Sequence, residues 1–173
     1  MKPEMIMAIT AVFAVITSIV SIIITILFSK KQIEHNKNSV RPICDIRYKD
    51  YEDKISVSIL NAGTGPLIIE SLVCKDHTGR EEPKLIDLMP EIEQSWATFT
   101  DDLTGKPIAA DGERILIELN PEDKDIKNKN SVRKVLKDIT VYVKYKDIFN
   151  TKFEEKQKLD FFGRHFTNEE KSK

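Results

Sequence analysis

The chain has 173 residues, of which 32% are charged, and its formal net charge at pH 7 is −1. From Arg41 to the end, 23 Lys and Arg stand against 26 Asp and Glu, which leaves a net charge of about −3. The two signs are interspersed, as on a solvated protein surface. Nucleic-acid-binding domains usually display a basic face. The sequence shows only scattered lysines, so we expect no nucleic-acid partner.

An uncharged apolar stretch occupies residues 5–28, between Glu4 and Lys30, and contains neither Gly nor Pro. As a helix rising about 1.5 Å per residue, it exceeds the roughly 30 Å hydrocarbon core of a bilayer. A helix is also the single-segment structure that pairs every backbone polar group within lipid. Because no small-residue cleavage site follows, the stretch is predicted to be an uncleaved signal anchor rather than a removed signal peptide.

The flanking charges predict how this helix is oriented. Lys2 precedes the apolar stretch, whereas Lys30, Lys31 and Lys37 follow it. The flank richer in Lys and Arg stays in the cytoplasm. We therefore expect a single-pass protein of the inner or plasma membrane, with its N-terminus outside and the rest of the chain in the cytoplasm.

Small and hydroxyl side chains recur on one side of the predicted helix. At 100° per residue they fall within an arc of about 100°. The set comprises Thr10, Ala14, Thr17, Ser18, Ser21 and Thr25. Such a pattern lets helices approach closely in lipid and predicts self-association or a partner helix. The alternative is a lone helix whose hydroxyls bond back to the carbonyl four residues earlier.

After Arg41 the hydrophobic period changes to two, which is typical of half-buried antiparallel strands. The predicted strands are 43–48, 54–60, 67–75, 95–100, 106–110, 114–119, 139–145 and 152–161. One helical turn is expected at 85–89, and a helix that starts at 120–123 and is best defined over 131–136. Strands of this number and spacing predict a β-sandwich.

The sequence thus predicts five parts along the chain. They are an N-terminal extension at 1–4, a transmembrane helix at 5–29, a juxtamembrane linker at 30–40, a β-sandwich domain at 41–166 and a disordered tail at 167–173.

No pattern predicts catalysis. The run 63–66, Gly-Thr-Gly-Pro, resembles a phosphate loop, but neither a Lys-Ser/Thr pair nor a helix follows it, so we interpret it as a turn. Asp101 and Asp102 are adjacent and point to opposite faces of an extended chain. The histidines lack a neighbouring nucleophile; they are His35, His77 and His165. We expect no enzymatic activity.

The two cysteines, Cys44 and Cys74, are interpreted as buried free thiols of a reducing compartment; in an extracytoplasmic domain they could form one bridge. Together with His77 they supply at most three ligands without the paired spacing of zinc sites. We expect no metal and no cofactor. Four aromatic residues are candidates for a contact surface, and for the pair Phe161 and Phe162 the alternative is packing onto the end of the sandwich. The four are Tyr142, Phe161, Phe162 and Phe166.

Three motifs support a resemblance. They are Arg-Pro-Ile at 41–43, Asn-Ala-Gly-Thr-Gly-Pro at 61–66 followed by Leu-Ile-Ile, and Tyr-Lys-Asp-Ile-Phe-Asn at 145–150. The chain resembles small bacterial proteins of unassigned function that carry one N-terminal spanning helix and an immunoglobulin-like domain. The resemblance implies an all-β, immunoglobulin-like antiparallel β-sandwich behind a membrane anchor. It transfers no functional residue, and Leu67 and Asn150 depart from the commoner Ala and Gly.

These observations favour a non-catalytic interaction or sensor module at the cytoplasmic face of the membrane, with a protein or small-molecule ligand on the β domain. The alternative is a ligand-triggered membrane effector of the anti-phage defence type. Such a protein would oligomerise through its transmembrane helix and perturb the bilayer.

Overall fold

The computed structural model describes residues 2–93, 95–120 and 126–166, apart from the side chains of Ile126 and His165. The chain divides into two compact units, Met1–Ser39 and Val40–Lys173. The predicted helix start at 121–123 and the predicted disordered tail at 167–173 lie outside the described residues.

The first unit is one helix, α1, which spans Pro3–Ser39 and has no buried residue. Proline at the first position needs no N–H partner and is pre-set for a helical φ. The helix is long and apolar enough, by length and composition, to cross a membrane. It continues through residues 30–39, the segment predicted to be a linker, because Lys, Gln and Glu are good helix formers and no Gly or Pro interrupts them.

The second unit consists of two antiparallel sheets arranged as a sandwich. The strands are β1 Cys44–Asp50, β2 Ile55–Asn61, β3 Leu67–Lys75, β4 Glu81–Glu82, β5 Thr98–Phe99, β6 Pro107–Ile108, β7 Glu113–Leu119, β8 Thr140–Lys146 and β9 Lys152–Lys158. Sheet A has the order β1-β2-β7-β5, and sheet B the order β4-β3-β8-β9, with β6 pairing with the start of β3. Helix α2, Ile126–Leu136, precedes β8, and 3-10 helices cover Leu85–Leu88 and Asp160–His165.

Several predicted bounds change. The strand predicted at 95–100 is reduced to Thr98–Phe99, the one at 106–110 to Pro107–Ile108, and β4 was not predicted. The last strand ends at Lys158 rather than at 161, because the chain turns into a 3-10 helix there. That turn carries Phe162 into the core, where its side chain is fully buried.

The core forms between the inward faces of the two sheets. Alternating residues of β2 and β8 are fully buried there, and α2 adds Val132 and Leu136. Burying each such side chain contributes on the order of 1.5 to 3 kcal/mol. Ser56 and Ser58 of β2 are also buried. They lie on the outer side of a central strand, where Lys49 of β1 lies opposite Ser56 and Glu113 of β7 accepts a hydrogen bond from the Ser58 hydroxyl.

Asn61, at the end of β2, ties the two sheets together. Its side-chain amide donates to the carbonyls of Gly65, Ile108 and Ala109 at 2.7, 3.1 and 3.1 Å. Its Oδ1 accepts from the N–H of Gly63 at 3.0 Å. A Cβ at Gly65 would lie 1.8 Å from the Val40 carbonyl oxygen, so the close approach of two backbone segments requires glycine here. The run 63–66 is therefore a packed turn, as predicted.

Candidate functional site

The small and hydroxyl residues of α1 are exposed, and the helix itself satisfies their donors. The hydroxyls of Thr17, Ser21 and Thr25 donate to the carbonyls of Phe13, Thr17 and Ser21, four residues earlier, at 3.0, 2.8 and 2.8 Å. Thr10 and Ser18 bond back in the same way. Ala14 interrupts this hydroxyl row with a methyl group. The hydroxyls therefore do not require a partner helix, although the small side chains still permit one to approach.

The lysines that follow the apolar stretch lie on the last turns of α1. Lys30, Lys31 and Lys37 are all exposed. The helix is unbroken from residue 28 to Ser39, so the lysines continue the same helix that carries the apolar side chains. The arrangement suits a helix end at a headgroup layer.

The outer face of sheet B gathers lysines that the sequence shows only as scattered. Directly opposite residues in neighbouring strands share a face. In the β8–β9 pair the outward positions match Tyr142 with Lys156, Lys144 with Glu154 and Lys146 with Lys152. We define the lysine face by six residues: Lys75, Lys144, Lys146, Lys152, Lys156 and Lys158. Strand register places together lysines that the sequence shows only as scattered.

Three glutamates also lie on or beside the lysine face. Glu70 sits at a bulge in β3 and its carboxylate reaches Lys152 Nζ at 3.4 Å and Lys146 Nζ at 3.9 Å. Glu81 pairs with Lys75 at 2.9 Å. Glu154 is the third. Within the described part of the chain, Lys144, Lys156 and Lys158 form no ion pair. The Lys156 ammonium instead lies 5.1 Å from the centre of the Tyr142 ring.

Two shallow, open depressions lie along β8 and β9. One, of about 410 Å³, is lined by Glu70, Lys144, Lys152, Phe153 and Glu154. The other, of about 330 Å³, is lined by Tyr142, Val143, Lys144, Glu154, Glu155 and Lys156. Both include Lys144, and each places two lysines and two glutamates beside an aromatic ring.

A buried carboxylate, Asp50 at the end of β1, holds the sandwich to α2 and to the last 3-10 helix. Arg133 Nη2 contacts Asp50 Oδ1 at 2.6 Å, and Arg164 Nη2 contacts Oδ2 at 3.2 Å. Lys129 donates to the carbonyls of Tyr51 and Glu52. Burial lowers the pKa of Lys129, and the nearby Arg133 adds to the effect. Because Asp50 pairs with an arginine from α2 and with one from the last 3-10 helix, the cluster acts as a structural tie.

The thiols of Cys44 and Cys74 are free and buried, as predicted. Burial raises the pKa of each to about 12, with Glu155 and Asp45 adding to the effect at Cys44. Both are therefore protonated at neutral pH and poorly suited to attack a substrate or ligate a metal. Among the described residues, no three His, Cys, Asp or Glu side chains are grouped as metal ligands.

The aromatic candidates separate into two groups. Tyr142 faces outward on the lysine face, whereas Phe162 and Phe166 are buried. Phe161 is 38% exposed, packs against Tyr48 at 4.7 Å between ring centroids, and lies under the Arg164 guanidinium at 3.7 Å. The phenylalanines thus pack onto the end of the sandwich, and Tyr142 remains as the surface aromatic.

Sequence reasoning named the helix face but missed the lysine face. A local signal exists: alternate positions of β9 carry Lys152, Glu154, Lys156 and Lys158. It was insufficient alone because the matching lysines of β3 and β8 join them only through strand pairing.

Comparison with known proteins adds no name to these surfaces: the chain matches no protein-family model and no curated protein.

Proposed function

We propose that the protein is a single-pass membrane protein whose immunoglobulin-like β-sandwich acts as a non-catalytic interaction or sensor module at the cytoplasmic face. The observation that carries this proposal is the exposed apolar surface of α1. Phe13 is 64% exposed and Ile22 is 59% exposed, and no residue of the helix is buried. Each large apolar side chain left in water forgoes about 1.5 to 3 kcal/mol. A bilayer removes this surface along the whole uncharged stretch.

Two experiments test this proposal with the full chain. Isolated membranes are extracted with alkaline carbonate, and intact cells are separately treated with protease. We expect the chain in the carbonate-resistant membrane fraction and the β domain protected from external protease. A variant with Ile16→Lys and Ile19→Lys should be released, because charges at the bilayer centre are costly. Recovery of the unmodified chain in the soluble fraction would overturn the anchor, and digestion of the domain from outside would reverse the orientation.

The second candidate function is a ligand-triggered effector that oligomerises through α1 and perturbs the membrane. It is favoured by the small and hydroxyl residues described above, since small side chains let two helices pack closely in lipid. In-membrane cross-linking of the full chain tests it. Thr17→Leu with Ser21→Leu should abolish cross-linked oligomers, whereas Val15→Leu with Ile22→Leu, which leaves that face intact, should not. Equal cross-linking of both variants would reject the effector.

A further inference from the structure

The lysine face is positively charged, although the chain as a whole is slightly negative. We propose that it binds phosphate groups, specifically the anionic phospholipid headgroups of the bilayer that α1 spans. The proposal rests on the membrane anchoring proposed above, and it names the partner of the β domain.

Charge segregation supports the assignment. The face holds six lysines and three glutamates, a net of +3. The described residues from Arg41 onward include 20 Lys and Arg and 21 Asp and Glu, so those outside the face number 14 and 18, a net of −4. The described part of the domain is therefore acidic outside the lysine face and basic on it. The outer side of sheet A differs, because its charges form the pairs Arg47–Asp45, Lys49–Glu113 and Lys54–Glu118.

The shape of the surface favours a flat array of ligands over one enclosed molecule. Lys152, Lys156 and Lys158 project from one side of β9, and the row from Lys152 to Lys158 extends about 20 Å at roughly 3.3 Å per residue. The depressions beside it are open, so a soluble nucleotide would be contacted on one side only. Tyr142 lies near the middle of the row, and tyrosine is enriched at the headgroup level of membranes.

Tethering makes weak contacts effective. A lysine near an anionic membrane surface strengthens association by a factor of about five. An anchored domain meets that surface at a high effective concentration, so several such factors multiply without a separate binding event. Lys144, Lys156 and Lys158 form no ion pair with the described residues, so they break no ion pair when they contact a phosphate, and Lys156 already lies beside the Tyr142 ring.

The experiment uses the full chain in lipid nanodiscs of two compositions, phosphatidylcholine alone and phosphatidylcholine with phosphatidylglycerol. Lysines are labelled with an amine-reactive reagent and quantified by peptide mass spectrometry. We expect labelling of Lys144, Lys156 and Lys158 to slow about fivefold in the anionic discs and to recover at high salt, since salt screens exposed charges. Lys49 and Lys54 on sheet A serve as internal controls whose rates should not depend on lipid.

A variant pair isolates the face. Lys144→Glu, Lys156→Glu and Lys158→Glu together should abolish the lipid-dependent protection of Lys146 and Lys152. The matched control changes the charge equally at three cations outside the face: Arg80→Glu, Lys84→Glu and Lys106→Glu. It should retain the protection. Fluorescence of the single Trp96 verifies that both variants are folded.

The possible outcomes separate this inference from the proposed function. If the chain fails to co-elute with the discs, the membrane anchoring is wrong. If it co-elutes but the face lysines are labelled equally in both compositions, only the headgroup proposal is overturned. Protection that appears in neutral discs on adding a single-stranded oligonucleotide would assign the face to nucleic acid. Protection on adding inorganic phosphate, with none from anionic lipid, would assign it to a soluble ligand.

Discussion

Sheets A and B share one core, but their outer faces treat charge differently. On sheet A, Lys54 Nζ lies 2.7 Å from Glu118 Oε2, and the Glu118 side chain is 12% exposed. On sheet B, the Lys152 side chain is 75% exposed and its Nζ lies 3.4 Å from Glu70 Oε2. On the outer face of sheet A, charged side chains form ion pairs with one another. The outer face of sheet B keeps cations in solvent, where they contribute little to stability and remain accessible to an external anion.

The largest change in the free energy of unfolding is expected at the buried charge of sheet A, Asp50. Asp50→Ala should lower the free energy of unfolding by about 3 to 5 kcal/mol, because Arg133 is then left buried without its carboxylate. The measurement is urea unfolding in detergent micelles, followed by Trp96 fluorescence. Asp45→Ala, on the same strand, is the matched control; its pair with Arg47 is exposed, so the loss should stay below about 1 kcal/mol. Equal losses would contradict the account of the buried cluster.

An intermediate change in the free energy of unfolding is expected when the pH is raised. It involves both sheets, because each contributes one buried thiol. The folded pKa of Cys44 and of Cys74, about 12, exceeds the ordinary value of 9.0, so the folded state binds more protons between these limits. The thiol contribution is therefore fully present below pH 9 and is lost as pH rises towards 12. From pH 9 to 10 each thiol should lower the free energy of unfolding by about 1 kcal/mol.

The control for this pH dependence is the double variant Cys44→Ala with Cys74→Ala. It should be less stable at neutral pH, since the core loses two sulfur atoms, but its stability should fall less steeply above pH 9. Parallel pH profiles for the variant and the unmodified chain would show that the thiols do not contribute.

The smallest changes in the free energy of unfolding are expected when one glutamate on each outer face is replaced. Glu118→Ala on sheet A should cost about 1 kcal/mol, because Lys54 loses a close and largely buried partner. Glu154→Ala on sheet B should change stability by less than about 0.5 kcal/mol, as for other exposed substitutions. Urea unfolding checks both. If Glu154→Ala proved the more destabilising, the lysine face would depend on internal pairing and the contrast between the faces would fail.

Local patterns in the chain predicted the main strands closely. The sequence indicates a strand at 67–75 and β3 spans Leu67–Lys75; it indicates 114–119 and β7 spans Glu113–Leu119. A strand with one buried face repeats every two residues, so its own side chains reveal it. The short strands β4, β5 and β6 have two residues each, too few to display a period.

The sequence by itself determined the long apolar helix, the antiparallel β domain after it and the inward positions of the main strands, because each depends on residues close together in the chain. Only the tertiary structure decided which lysines share a face and which charges are buried together. Lys75 joins Lys158 through the register of β3, β8 and β9, and Asp50 meets Arg133 and Arg164 across 83 and 114 residues. Such pairings depend on how strands and helices pack, which no local period records.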